Sequence, residues 1–399
     1  MILHRPEITF QEGEVHVSAR VEAQTQVGHS IPERLWISFP ASHEPLITAR
    51  ADGFAVALLL LAMARGEEME VRGGVSSRLL YGMQEYQRIL NLWFPQTFKL
   101  ISVTSSSVER QPPNGHLGSV ACAFSGGVDS FYTLWAHLPQ NEPVPDARVS
   151  HGLFVHGFDI PLHEEATYKS CLDAYGYVLR GRGVELLSAR TNVREVLKDL
   201  DWTLAHGPAL IFVALTLGRL LSRFYVPSGL RYIDLGPPTG TDPRLDHLLS
   251  TETLEVMHHG ASMSKVQKVA AIAGWPATYP CLRVCWEHPD GLQNCCRCSK
   301  CVRTMVALDL AGALGRYATF RLPLTRRTIR RCTFASDPER LFAWQLIDHA
   351  QAVGRADLTR DLRYALLRSR VAASASRLRM TSGWLWRRVR AGRRGWGTA

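Results

Sequence analysis

Two groups of residues in this chain have types and spacings that could do chemistry. The first is Ser125-Gly126-Gly127-Val128-Asp129-Ser130. Adjacent glycines let backbone N–H groups turn toward an anion with no Cβ in the way. Ser125 and Ser130 could donate hydroxyls to phosphate oxygens, and Asp129 could cap a helix or help hold a magnesium ion. No Lys follows the glycines, so this is not a Walker loop, and the pattern is not G-x-G-x-x-G. The plain alternative is a Gly-Gly turn with a serine cap.

The second group is cysteine. Nine cysteines occur, six of them between Cys281 and Cys301. Cys285, Cys295, Cys298 and Cys301 follow C-x9-C-x2-C-x2-C, and four thiolates so spaced can close a tetrahedral zinc site. Pro289-Asp290-Gly291 supplies a turn between the first ligand and the triplet. Cys281 and Cys296 are left over, and either could replace a ligand. Iron–sulfur proteins also use cysteines at x2 spacing, but the downstream Cys before Pro of the bacterial ferredoxin pattern is absent.

These groups need elements to hold them. Val120–Phe124 reads as a buried strand and Ser130–His137 as a helix, which puts the glycines on a strand–loop–helix junction, where a helix N-terminus favours anions. From residue 119 strands and helices alternate, which predicts a parallel sheet covered on both faces. The expected strands are Val120–Phe124, Ser150–His156, Val184–Ser188, Arg231–Leu235 and Leu254–His258. The expected helices are Ser130–His137, Glu164–Leu179, Val193–Asp199, Gly207–Arg223 and Ser264–Ala273. Ligands in such sheets bind beyond the carboxyl ends of the strands. Phe158, Thr191-Asn192 and Gly236–Thr241 would then line the crevice, and the polar loop Gly240–Ser250 could face a substrate.

Before this region, Val15, Val17, Ala19 and Val21 alternate as in a half-buried strand, and Asp52–Arg65 is an apolar helix. Leu79, Leu80, Met83, Tyr86, Ile89 and Leu90 recur at helical spacing. This reads as a separate α+β domain over residues 1–117, with the polar stretch Thr104–Gly118 as a linker. A nucleotide-binding domain at 118–305 carries the cysteines, and a helical, Arg-rich extension fills 306–399.

The chain has 399 residues, 46% hydrophobic and 21% charged, as in globular proteins. The longest apolar run, Phe54–Ala64, is too short to span a bilayer. A basic start followed by an apolar stretch is missing, and the cysteines cluster, so a cytoplasmic location is expected. The net charge of +10 is local: ten arginines and no acid follow Asp361, and Trp mixes with Arg in Trp384–Trp396. A nucleic acid or another polyanion could bind there, or the tail is simply a solvated basic segment.

Ser125–Ser130 resembles the SGGxDS signature of the PP-loop ATP pyrophosphatases. With the cysteine spacing it resembles their QueC-like, cyano-deazaguanine synthase branch over about residues 119–305. The resemblance implies a Rossmann-like (HUP-type) parallel sheet and ATP split to AMP and pyrophosphate. It further implies an adenylated carboxylate or carbonyl attacked by ammonia, an amine or another nucleophile, and a structural zinc. ATP would bind over Ser125, Gly126, Gly127, Val128, Asp129, Ser130 and Phe158. Relatives place a lysine on the phosphates near Lys265 and Lys268; Lys268 is counted with Asp129 and Ser130 as catalytic. The chain departs from the family in its N- and C-terminal additions and in carrying Cys296 where relatives have Gly. The acceptor therefore stays open, and relatives with added domains occur in antiviral gene clusters. A tRNA thiolase is the second enzyme reading, and a nucleotide-binding module that has lost catalysis is the third.

Overall fold

The structure is a computed structural model that describes residues 1–25, 29–110, 115–287 and 291–371. Its strands are β1 (Ile2–Leu3), β2 (Glu7–Gln11), β3 (Glu14–Glu22), β4 (Arg34–Pro40), β5 (Met69–Ser76), β6 (Val103–Glu109), β7 (Ser119–Ala123), β8 (His151–His156), β9 (Glu185–Thr191), β10 (Leu221–Pro227) and β11 (Glu255–His259). The helices are α1 (Asp52–Arg65), α2 (Ser77–Trp93), α3 (Val128–Ala136), α4 (Glu165–Arg180), α5 (Val193–Val196), α6 (Trp202–Thr216), α7 (Lys265–Ile272), α8 (Ser299–Leu310), α9 (Arg326–Arg331), α10 (Asp337–Ala352) and α11 (residues 356–371).

The fold is α/β with one large mixed sheet, ordered β11-β10-β7-β8-β9-β4-β3-β1-β5-β6, with β2 on β3. From β11 to β9 every pairing is parallel. Counting from β7, those five strands run 3-2-1-4-5, so the chain reverses direction across the sheet between β7 and β10. A crevice at the carboxyl ends is expected at such a reversal.

The first 110 residues do not stand apart from this sheet. β4 pairs antiparallel with β9, Ile37 opposite Thr191 and Ser38 opposite Arg190. The alternation in β3 holds, with Val15, Val17, Ala19 and Val21 buried. α1 is apolar on every side because it is buried on every side, and its Phe54 meets Phe212 of α6 edge to face at 4.9 Å. The boundary expected at 117 thus falls inside one compact unit that holds residues 1–283 and 291–292. The second unit holds residues 284–287 and 293–371 among those described. It contains the four cysteines and α8–α11, so the cysteines group with the C-terminal helices and not with the sheet.

Two element expectations fail for one reason. The helix expected to run to Arg223 ends at Thr216, and Leu221–Pro227 forms β10. Arg231–Leu235 is not a strand; Tyr232–Asp234 makes a short 3-10 turn. Between Ala209 and Val226 apolar residues dominate on both sides of a four-residue connection whose one turn signal is Gly218, so the helix-to-strand change leaves little periodic signal. The supposed linker is also partly structured: Val103–Glu109, a Ser/Thr run, is the exposed edge strand β6 beside β5. Pro112 to Asn114, Pro289-Asp290 and Trp384–Trp396 lie outside the described residues.

Candidate functional site

β7 delivers Phe124 into a cluster of rings, edge to face with Phe131 at 4.9 Å and Tyr175 at 5.3 Å. The chain then turns sharply. Gly126 has φ of +73°, and a Cβ there would lie 2.0 Å from Tyr175 Oη, so only glycine fits. Tyr175 Oη donates to the Ser125 carbonyl at 3.4 Å, and the Arg283 N–H donates to the Gly126 carbonyl at 2.9 Å. The loop's carbonyls are thereby held from behind. α3 starts at Val128 with Gly127 as its N-cap and no side-chain cap. Its first N–H groups are left to bind an anion.

Asp129, in the first turn of α3, faces two ammonium groups. Lys268 Nζ donates to Asp129 Oδ1 at 3.2 Å, and Lys265 Nζ donates to Oδ2. Both lysines come from the first turn of α7, which starts in a Ser264–Gln267 capping box. Lys268 is 1% exposed and also donates to the Ser228 carbonyl, just after β10, at 2.5 Å. Ser228 N–H in turn donates to the His259 carbonyl at the end of β11. The loops after β7, β10 and β11 are thus joined at the reversal point. Burial pushes the Asp129 carboxyl up, but Lys265 and Lys268 outweigh it and hold it down at about 2. Two cations against one carboxylate leave this corner one positive charge in excess, beside a helix N-terminus. Such a corner favours a polyphosphate or a developing oxyanion.

The other expected residues divide. Ser125 is exposed on the loop. Ser130 is buried and its hydroxyl donates to the Gly127 carbonyl at 3.0 Å, so it braces the loop. Val128 is buried and anchors α3. Phe158 follows β8 as expected, yet it is a core residue, edge to face with Trp202 at 5.3 Å. Thr191 and Asn192 do not line the crevice. Thr191 Oγ1 donates to the Trp36 carbonyl, while Asn192 accepts from Trp36 N–H and donates to the Arg34 carbonyl. They are the joint that fastens β4 to the parallel strands. The loop at Gly240 docks on α6 through Gly240 N–H to the Thr203 carbonyl at 2.6 Å. Tyr175 and Ser228 were not legible as site residues; one acts through its hydroxyl on a backbone carbonyl and the other through its own carbonyl.

In the second unit Cys285, Cys295, Cys298 and Cys301 bring their sulfurs within 4.8 Å of one another. The Cys285–Cys298 and Cys295–Cys301 separations are 4.0 and 3.8 Å. Ligands about 2.3 Å from a central zinc ion lie about 3.8 Å apart at tetrahedral angles, so the set fits such an ion. Backbone N–H groups point at the sulfurs: Cys295 N–H to Cys285, Cys298 N–H to Cys295 and Cys301 N–H to Cys298. The Cys301 thiol and N–H pull the Cys298 thiol below the usual thiol range despite its burial. Cys298 also caps α8, which fixes the triplet to a helix start. Cys281 is fully buried in the first unit and bonded to the Ala277 carbonyl, and it is no ligand. Cys296 sits inside the thiolate loop at φ +58°, a conformation that favours glycine, with its thiol turned to the Asn294 carbonyl.

Comparison with known protein families, with curated proteins and with solved structures gave no match. Among the described residues no helix is long and apolar enough to cross a membrane.

Proposed function

We propose that the chain is an ATP-dependent adenylating enzyme of the PP-loop, QueC-like kind, built on a HUP-type sheet. The observation that carries this is the Asp129–Lys265–Lys268 cluster, set against an uncapped helix start at the sheet's reversal point. The N–H groups of Gly127 and the first turn of α3 take phosphate oxygens. Lys265 and Lys268 stabilise the charge on the α-phosphoryl oxygens and the leaving pyrophosphate when an acceptor oxygen attacks the phosphorus. Asp129 keeps both ammonium groups aimed. A bound magnesium ion would neutralise the leaving pyrophosphate, with Asp129 as the carboxylate the loop supplies. The acceptor is a carboxylate or carbonyl, activated for attack by ammonia or another amine.

Zinc is the ion we assign to the four cysteines, in a structural role, since four thiolates leave no open position. The thiolase reading needs a reactive cysteine near the nucleotide. Cys122, in β7, is fully buried, and burial drives its thiol up to about 12, which favours the adenylating reading. Incubation with α-labelled ATP tests the proposal: AMP should form, and Lys268→Met should lose it.

A further inference from the structure

The second unit concentrates arginine. Residues 293–371 carry 15 Lys and Arg against 6 Asp and Glu, and 14 of the 15 are arginine, whereas residues 1–283 carry 24 against 28. The positive charge thus belongs to the helical unit even before the terminal arginines are counted. Such an asymmetry points to a polyanionic partner.

Two helices hold the cluster. α9 carries four arginines and no acid, and it is anchored through the buried Ile329. Asp361 of α11, 6% exposed, receives them. Its Oδ1 accepts from Arg330 Nε at 2.6 Å and from Arg326 Nε at 3.2 Å, and Arg360 Nε lies 4.0 Å away. Three guanidinium groups on one carboxylate leave two positive charges in excess. Arg368 donates to the carbonyls of Arg331 and Cys332, which fixes the far end of α9 to α11. Asp357, the other acid of α11, is taken by Arg355 at 2.9 Å. Arg327, Arg331, Arg363 and Arg370 are exposed and pair with no carboxylate among the described residues.

Arg360 and Arg363 also line a groove of about 490 Å³ together with Thr359 and Gln351. Tyr364, the next residue, is 48% exposed, and the Arg330 guanidinium lies 4.8 Å from its ring centroid. Guanidinium forks match phosphate oxygens two at a time, and an exposed ring takes a base by stacking. The apolar side of α11, with Leu358, Leu362, Ala365 and Leu366, is already buried, so little of it remains to enter a lipid surface.

We infer that α9 and α11 form a docking face for single-stranded nucleic acid. Arg327, Arg331, Arg360 and Arg363 take phosphates, and Tyr364 meets a base. Asp361 is a positioning residue that holds the two helices and their arginines together. The face lies in the folded unit and does not need the residues after Val371.

The test is fluorescence anisotropy of a labelled single-stranded RNA of about 20 nucleotides, longer than a usual binding site, titrated with full-length protein. The double variant Arg327→Glu, Arg363→Glu should weaken binding about tenfold or more and flatten its salt dependence. Both side chains are exposed and carry no ion pair, so the fold is retained, and the terminal arginines are present in every protein compared. Arg182→Glu, a charge reversal at an exposed arginine of the first unit, should leave binding unchanged. Equal affinity of the double variant and the wild type, an equal loss in Arg182→Glu, or binding to anionic phosphatidylserine vesicles with none to RNA would overturn the assignment. This inference is independent of the adenylation reading.

Discussion

Lys268 Nζ lies 3.2 Å from Asp129 Oδ1, across 139 residues of chain, and the lysine is 1% exposed. Burying an ammonium group is costly unless it is paired and hydrogen-bonded. Here one carboxylate, from the first turn of α3, and the Ser228 carbonyl, just after β10, meet that cost. A side chain so placed orders three loops. Asp129→Asn should therefore not be silent structurally. It should lower stability near neutral pH by about 2 kcal/mol, read by urea unfolding.

The same carboxylate predicts a pH signature. Its folded pKa, about 2, lies below its unfolded value of 3.8. The stabilisation is fully present above the unfolded value and is lost as pH falls through the folded one. The stability gap between wild type and Asp129→Asn should be constant from pH 7 to about 5 and should close between about 4 and 2. A gap that persists unchanged at pH 2 would contradict this origin.

Gly126→Ala combines a left-handed φ with a Cβ 2.0 Å from Tyr175 Oη. The overlap involves a fully buried ring in a packed cluster, so the loop must move. ATP binding should fall at least tenfold, measured by equilibrium dialysis, and thermal stability should drop with it.

Cys296→Gly should be tolerated, within about 1 kcal/mol of wild type, because the φ of +58° suits glycine and offsets the lost thiol packing. Cys298→Ser, by contrast, should lose the single thiolate-bound metal and much of the soluble yield. Elemental analysis of anaerobically prepared protein reads both. Stoichiometric iron with sulfide would replace the zinc assignment.

The arginine tail is best tested by a cut after Val371 and not after Asp361. Leu362, Ala365 and Leu366 are buried in the second unit, so the earlier cut would remove core. The later cut removes seven of the ten terminal arginines. If they bind a polyanion, RNA affinity should fall on truncation, and the wild-type affinity should fall steeply with salt. Equal affinities would assign the tail no part in binding.

The glycine loop was legible because its signal is local: two glycines, two hydroxyls and an acid between a strand and a helix. The cysteine spacing was local too. What escaped was non-local. Asn192 looks like a crevice residue by position, yet it bonds Trp36 and Arg34, 156 and 158 residues away. The pairing of β4 with β9 turns two expected domains into one sheet, and no residue of β4 announces its partner. β10 was hidden because Leu221–Pro227 follows the apolar helix after only four residues, Leu217–Leu220, with Gly218 as the one turn signal between them.

The site of bond cleavage in ATP tests the central claim most directly. Wild-type protein should convert ATP, in the presence of a cell extract that supplies the acceptor, to AMP and pyrophosphate. Lys268→Met should reduce that rate at least a hundredfold while circular dichroism remains that of the wild type. Formation of ADP and phosphate by the wild type, or a Lys268→Met rate equal to it, would contradict the account.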